Sequence, residues 1–131
     1  MENNPLISVV TVSYNAVSTI EQTILSVINQ TYPNIEYVII DGESTDGTVD
    51  VIKKYADRIT YWVSEPDKGI YDAMNKGMGI STGDFLIFIG ADDLFYTTDV
   101  IKNIVAKIKE MNVIYYGNVI SVSYTHLRAH E

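Results

Sequence analysis

Apolar positions along the chain fall into two rhythms. Leu6 to Val12, Tyr37 to Ile40, Ile59 to Val63 and Phe85 to Ile89 are nearly unbroken apolar runs rich in β-branched residues. Runs of this length without polar alternation predict strands buried on both faces, the habit of parallel sheets. Between them apolar residues fall three and four apart. Ile20, Ile24, Leu25 and Ile28 form one such set, and Val49, Ile52 and Tyr55 a second. Ile70, Ala73, Met74, Gly77 and Ile80 form a third, and Val100, Ile101, Ile104, Val105 and Ile108 a fourth, within Thr98 to Lys109. That spacing predicts helices that each bury one face. Ser18 with Glu21 reads as a capping box for the first helix, Pro33 stops it, and Asp46 caps the second. Val113 to Tyr116 predicts a fifth strand.

Strands alternating with helices predict right-handed crossovers and an α/β fold, a mostly parallel sheet with helices on both faces. Such sheets bind ligands at the carboxyl ends of their strands. Four predicted loops then share one rim: Ser13 to Asn15, Asp41 to Gly47, Glu65 to Gly69, and Gly90 to Asp93. All but the first carry carboxylates.

Composition narrows the field. A chain of 131 residues with 47% apolar residues suits one domain with one core. A formal net charge of -8 disfavours a nucleic acid or an anionic membrane as partner. It leaves room for an anionic small ligand, because a divalent metal supplies positive charge locally. With no cysteine, thiol catalysis and zinc-thiolate sites are excluded. The opening residues lack the basic region of a signal peptide, and no apolar run reaches the length of a spanning helix. Residues 1–122 are expected to form the domain, incomplete at its C-terminal end. Ser123 to Glu131 has no clear period and is expected to be a tail, foreign to the fold or without structure; a final surface strand is the alternative. His126 and His130, four apart within it, are not expected to hold metal.

Asp92 and Asp93 follow an apolar strand at once. Adjacent carboxylates repel and must leave the core; a hard cation with oxygen ligands stabilises the two together, and a helix N-terminus does so without metal. Asp41 ends the second strand, where a carboxylate can accept from a base imide or a ribose hydroxyl. Asp67 and Lys68 precede Gly69 and a helix start, which suits either a solvated turn or a phosphate. No dinucleotide glycine fingerprint and no Walker lysine loop is present.

Four segments together resemble the family 2 glycosyltransferases. They are Ile7 to Asn15, Ile39 to Thr48, Glu65 to Gly77 continuing to Thr82-Gly83-Asp84, and Gly90 to Asp93. The resemblance spans about Pro5 to Asn118. It implies the Rossmann-like nucleotide-diphospho-sugar transferase fold of the A type, in truncated form, and an inverting transfer from a nucleotide-diphosphate sugar to an acceptor hydroxyl in polysaccharide or glycoconjugate synthesis. Thr11, Tyr14 and Asn15 would lie against the nucleoside, Asp41 with Ser44 by the base, and Asp67 and Lys68 near the phosphates. Asp92 would face the ribose or sugar, and Asp93 would hold a divalent Mn2+ or Mg2+. Ala91 stands where family members often carry another Asp, which leaves Asp93 as the expected sole protein ligand. The expected donor is a UDP-sugar and the acceptor a saccharide or lipid-linked hydroxyl. The expected location is the cytoplasm, with peripheral attachment of the full-length protein to the inner membrane face as an option. No general base is identified, so donor binding without transfer is expected. Two rivals remain: an idle nucleotide-binding module, and a receiver-like signalling domain, which needs paired acids after the first strand where this chain has Ser13-Tyr14-Asn15.

Overall fold

A computed structural model describes residues 4–110 and 120–123. The elements run β1 (Ile7–Ser13), α1 (Ile20–Ile28), β2 (Ile35–Asp41), α2 (Thr48–Lys54), a 3-10 turn (Ala56–Arg58), β3 (Tyr61–Ser64), α3 (Ile70–Ile80), β4 (Phe85–Phe88), α4 (Val100–Glu110) and β5 (Ile120–Ser123). The predicted strand at Val113 to Tyr116 lies outside the described residues. β5 takes in Ser123, the residue at which a tail was expected to begin.

The strands form one sheet in the order β3-β2-β1-β4-β5, with every pair parallel. This follows the 3-2-1-4-5 run of the doubly wound dinucleotide-binding order rather than the 2-1-3-4-5 order of flavodoxin-like sheets, so the receiver-like rival falls away. The order reverses between β1 and β4, which places a topological switch point beside the end of β1.

The sheet separates two apolar clusters, as the two-residue period of a strand requires. On one face Ile7 and Val9 of β1 join Ile20, Ile24 and Val27 of α1, Ile52 of α2, and Ile101 and Val105 of α4. On the other face Val10, Val38, Ile40 and Leu86 meet Ala73, with Val12 and Ile80 packed alongside. Helices α1, α2 and α4 therefore cover one side and α3 the other.

The expected capping box at α1 does not form. The helix starts at Ile20 with Thr19 as its N-cap and no side-chain cap bond. Glu21 instead accepts from Lys54 Nζ at 2.9 Å and Tyr55 Oη at 2.5 Å, tying α1 to α2. Those two bonds hold its carboxylate below the usual range, with the Lys54 bond the larger cause. Asp46 does cap α2. Its Oδ1 accepts from the Thr48 amide at 3.0 Å, one position ahead of the left-handed Gly47.

Candidate functional site

Asp41 is the hub of the rim. It has no exposed surface, and a buried carboxylate must find donors. Oδ1 accepts from Ser13 Oγ and Ser44 Oγ, each at 2.7 Å. Oδ2 accepts from the Ser44 amide and Ser64 Oγ, each at 2.8 Å. The ends of β1, β2 and β3 are thereby tied to one side chain. Each oxygen is engaged by the chain itself, so Asp41 braces the three loops against one another.

Thr11 lies on the side of β1 that faces α1 and α2, with Val9. It is fully buried and its hydroxyl lies 2.9 Å from that of buried Tyr37. Burial pushes the Tyr37 phenol well above its ordinary range, and the Thr11 bond offsets only part of this. The strand period sends Thr11 toward α1 and α2, whereas Val12 faces α3. Asn15, at a φ of 47°, braces the first loop to the second. Its Oδ1 accepts from the Thr45 amide at 2.9 Å, and its own amide donates to Ser44 Oγ at 2.7 Å.

On the α3 side these loops enclose a cleft of about 650 Å³. Val12, Ser13 and Tyr14 come from the first loop, Gly42, Glu43 and Thr45 from the second, and Pro66, Asp67, Gly69, Ile70 and Ala73 from the third loop and α3. Tyr14 is 67% exposed and Ile70 60%, so the mouth of the cleft presents apolar surface to water. Asp67 reaches across to the second loop: a Cβ on Gly42 would lie 2.7 Å from its Oδ2. Only glycine leaves that carboxylate its place. The Asp67 Oδ1 accepts from the Gly69 amide at 3.0 Å, and Gly69 itself has a φ of 112°, which an L side chain would strain. The Lys68 side chain is exposed and does not line the cleft; its amide donates to Asp72 Oδ2 at 2.9 Å. Lys76 anchors the same loop to α3, reaching Glu65 Oε2 and the Pro66 carbonyl at 3.1 Å each. The hydrogen bond to Glu65 holds its ammonium above the usual lysine range.

Asp92 and Asp93 follow β4, beside the cleft rather than in its wall. Asp92 is exposed and Asp93 half-buried. The Asp93 Oδ1 accepts from the Leu94 amide at 2.8 Å, and its amide closes a turn onto the Gly90 carbonyl at 3.1 Å. Among the described residues no three His, Asp or Glu side chains gather to hold a metal. The oxygen donors at hand nevertheless fit Mg2+ or Mn2+, ions that keep waters and share diphosphate oxygens rather than fill an all-protein cage. Sequence reasoning named Ser44 but missed the bonds from Ser13 and Ser64 to Asp41, cleft-lining Glu43 at a φ of 62°, and a row of side chains on α1 that touches the Asp92–Asp93 loop. The row had a visible signal: polar residues at 19, 23, 26 and 30 recur at helical spacing. Among the described residues no helix is long and apolar enough to cross a membrane.

Comparison with known proteins places this geometry. The family model "Glycosyl transferase family 2" matches residues 8–130. An uncharacterized glycosyltransferase of Mycobacterium tuberculosis is 40% identical over 106 residues, 80% of this chain and 40% of the relative. A PGL/p-HBAD biosynthesis glycosyltransferase of Mycobacterium bovis is 34% identical over 121 residues, 88% of this chain and 47% of the relative. The chain thus spans less than half the length of these relatives. Among solved structures, S. aureus TarS in complex with UDP-GlcNAc superimposes with a TM-score of 0.75 at 25% identity, covering 82% of this chain and 32% of that one. The mannosyltransferase PcManGT from Pyrobaculum calidifontis, in complex with GDP-Man and Mn2+, gives 0.74 at 28% identity, covering 79% and 32%. Rim, sheet order and these likenesses converge: the chain belongs to glycosyl transferase family 2.

Proposed function

We propose that this chain is the donor-binding part of an inverting glycosyltransferase that takes its sugar from a UDP-sugar. The observation that carries the reading is the cleft of about 650 Å³ built from three strand-end loops, with the acidic pair on the next strand. The exposed ring of Tyr14 offers a surface for the base, and Asp67 and Glu43 offer acceptors for base or ribose. Lys68 stands near enough in sequence to turn toward the phosphates. Asn15, Ser44, Asp41 and Thr11 act behind these groups by fixing the loops. Asp92 faces the ribose or sugar, and Asp93 holds Mn2+ or Mg2+ together with the diphosphate. The metal, when bound, would stabilise the charge that builds on the departing diphosphate. With so acidic a chain, the metal also offsets the repulsion a diphosphate meets on approach.

Transfer itself would be one in-line displacement: an acceptor hydroxyl, losing its proton to a carboxylate base, attacks the anomeric carbon as the diphosphate leaves. We assign no residue of this chain as that base. For this chain itself the proposal is donor binding with little or no transfer. A polysaccharide or glycoconjugate acceptor, and a membrane-face setting for the full-length protein, belong to the same proposal.

Titration calorimetry with UDP tests it. Binding is expected with manganese and should be much weaker after chelation. Asp93→Ala should abolish the difference between the two conditions. A folded chain that binds no nucleoside diphosphate in either condition would refute the reading, and an unchanged manganese response in Asp93→Ala would remove Asp93 from the metal.

A further inference from the structure

The stretch from Ile89 to Asp99 contains no helix or strand, so its backbone groups need partners from elsewhere. Helix α1 supplies them. Thr19 Oγ1 donates to the Ala91 carbonyl at 2.8 Å. Thr23 Oγ1 lies against three carbonyls: that of Asp93, that of Ala91 at 3.1 Å and, in its own helix, that of Thr19 at 3.5 Å. A hydroxyl has one proton, so the three compete for it, with Asp93 the nearest. Ser26 Oγ accepts from the Phe95 amide at 3.1 Å and donates back to the Thr23 carbonyl at 2.8 Å. Just past the helix, Gln30 continues the row: its Nε2 donates to the Thr97 carbonyl at 2.7 Å, and its Oε1 accepts from the Ile101 amide at 3.0 Å.

Positions 19, 23, 26 and 30 make one stripe on a helix of period 3.6. They meet residues 91, 93, 95 and 97, every second one along the segment. Thr23 has no exposed surface, in a helix whose other buried side chains are Ile20, Ile24 and Val27. Valine would fill that space but would take this donor away from the Asp93 and Ala91 carbonyls. What the hydroxyl adds is a grip on the carbonyls flanking Asp92.

We propose that Thr19 and Thr23 are positioning residues for the acidic pair, fixing the backbone on both sides of Asp92 so that the Asp92 and Asp93 carboxylates stand ready for a metal-bound diphosphate. The carbonyls are held against α1, while the Asp92 side chain stays exposed and that of Asp93 half-exposed. The inference rests on the donor site proposed above and adds to it a device that neither ligand set nor motif contains. Removing a partner that orients a ligand loop lowers metal affinity by about ten- to a hundredfold in comparable sites.

The test pairs Thr23→Val, which keeps the shape and removes the donor, with Thr23→Ser, which keeps the donor. UDP binding is measured by calorimetry with and without manganese, and amide hydrogen exchange is followed over residues 90–96. Thr23→Val is expected to leave metal-free UDP binding unchanged, to lower the manganese-dependent gain by about tenfold or more, and to speed exchange at 91–95. Thr23→Ser is expected to restore both. A full manganese gain in folded Thr23→Val overturns the inference, as does a Thr23→Ser loss equal to that of valine. Should Thr23→Val not fold, Thr19→Val at the half-buried end of the row carries the same expectations and the same refutation. Wild-type chain that binds no UDP in either condition overturns the donor-site reading and this inference together, whereas wild-type chain that binds UDP without a manganese gain overturns this inference alone.

Discussion

At the scale of single residues, the rim depends on one carboxylate. Asp41 accepts four hydrogen bonds inside the protein, three of them from serine hydroxyls. Asp41→Asn keeps the shape but turns an amide toward these donors. A buried donor left without an acceptor costs about 1–3 kcal/mol, and urea denaturation should show a loss in that range with the slope unchanged. Gly42→Ala has the opposite profile. The added Cβ meets the Asp67 carboxylate, the end of a side chain that can swing away. Stability should fall little, by about 1 kcal/mol or less, while UDP affinity falls several-fold because Asp67 leaves the cleft wall. Calorimetry beside a thermal melt separates the two effects.

At the scale of elements, the far end of the sheet carries a latch. Glu36 of β2 accepts from Ser8 Oγ of β1 at 2.6 Å, and from the Thr82 amide and Thr82 Oγ1 at 2.8 and 2.7 Å. Ser8 Oγ in turn accepts from the Gly83 amide at 2.8 Å, so the entry to β4 is fixed to β1 and β2 at once. Burial works to raise the Glu36 pKa, but the bonds from Ser8 and Thr82 outweigh it and the carboxyl sits below its usual range. A lowered folded-state value stabilises the fold above the ordinary glutamate range and is lost as the pH falls through the folded value. Glu36→Gln should therefore melt lower than wild type at neutral pH, by about 1 kcal/mol or roughly 4 °C. The gap should close under acid conditions; one that stays constant with pH would show that the charge has no part in it.

The elements themselves were legible because their periods were strong. The strand cores within β1 to β4 and the helices α1 to α4 fall where the apolar rhythm predicts. The face on which each strand residue lies was not legible. β1 is apolar on both sides, so its pattern marks a buried strand without marking which side carries the cleft or that Thr11 faces away from it. The capping box failed because the N-cap is Thr19 rather than Ser18, and Glu21 turns to Lys54 and Tyr55, partners 33 and 34 residues away that no local pattern reveals. The loops that line the cleft were legible as a set. Asp92 and Asp93 were legible as a motif but stand next to the cleft, because β4 lies on the other side of β1 from β2 and β3.

At the scale of the whole molecule, the strand order decides what can meet. β1 is central, with the loops of β2 and β3 on one side of its end and that of β4 on the other. A nucleotide lying in the cleft needs to cross over β1 to reach the acidic pair, which is the geometry a base at one end and a diphosphate at the other would use. Both faces of the sheet are covered, so the rim is the natural place for a ligand.

Trp62, the one tryptophan of the chain, sits half-buried in β3, the outermost strand on the cleft side. It pairs with Ile39 and lies three residues before the loop that Lys76 anchors. The protein therefore carries a built-in optical gauge at its edge. Emission from this ring should change on UDP addition without any label. On heating, it should change before the circular dichroism of the helices if the edge strand peels away first, and together with it if the domain melts as a unit. A single fluorophore at the border between rim and edge turns the stability of that border into something that can be read by colour.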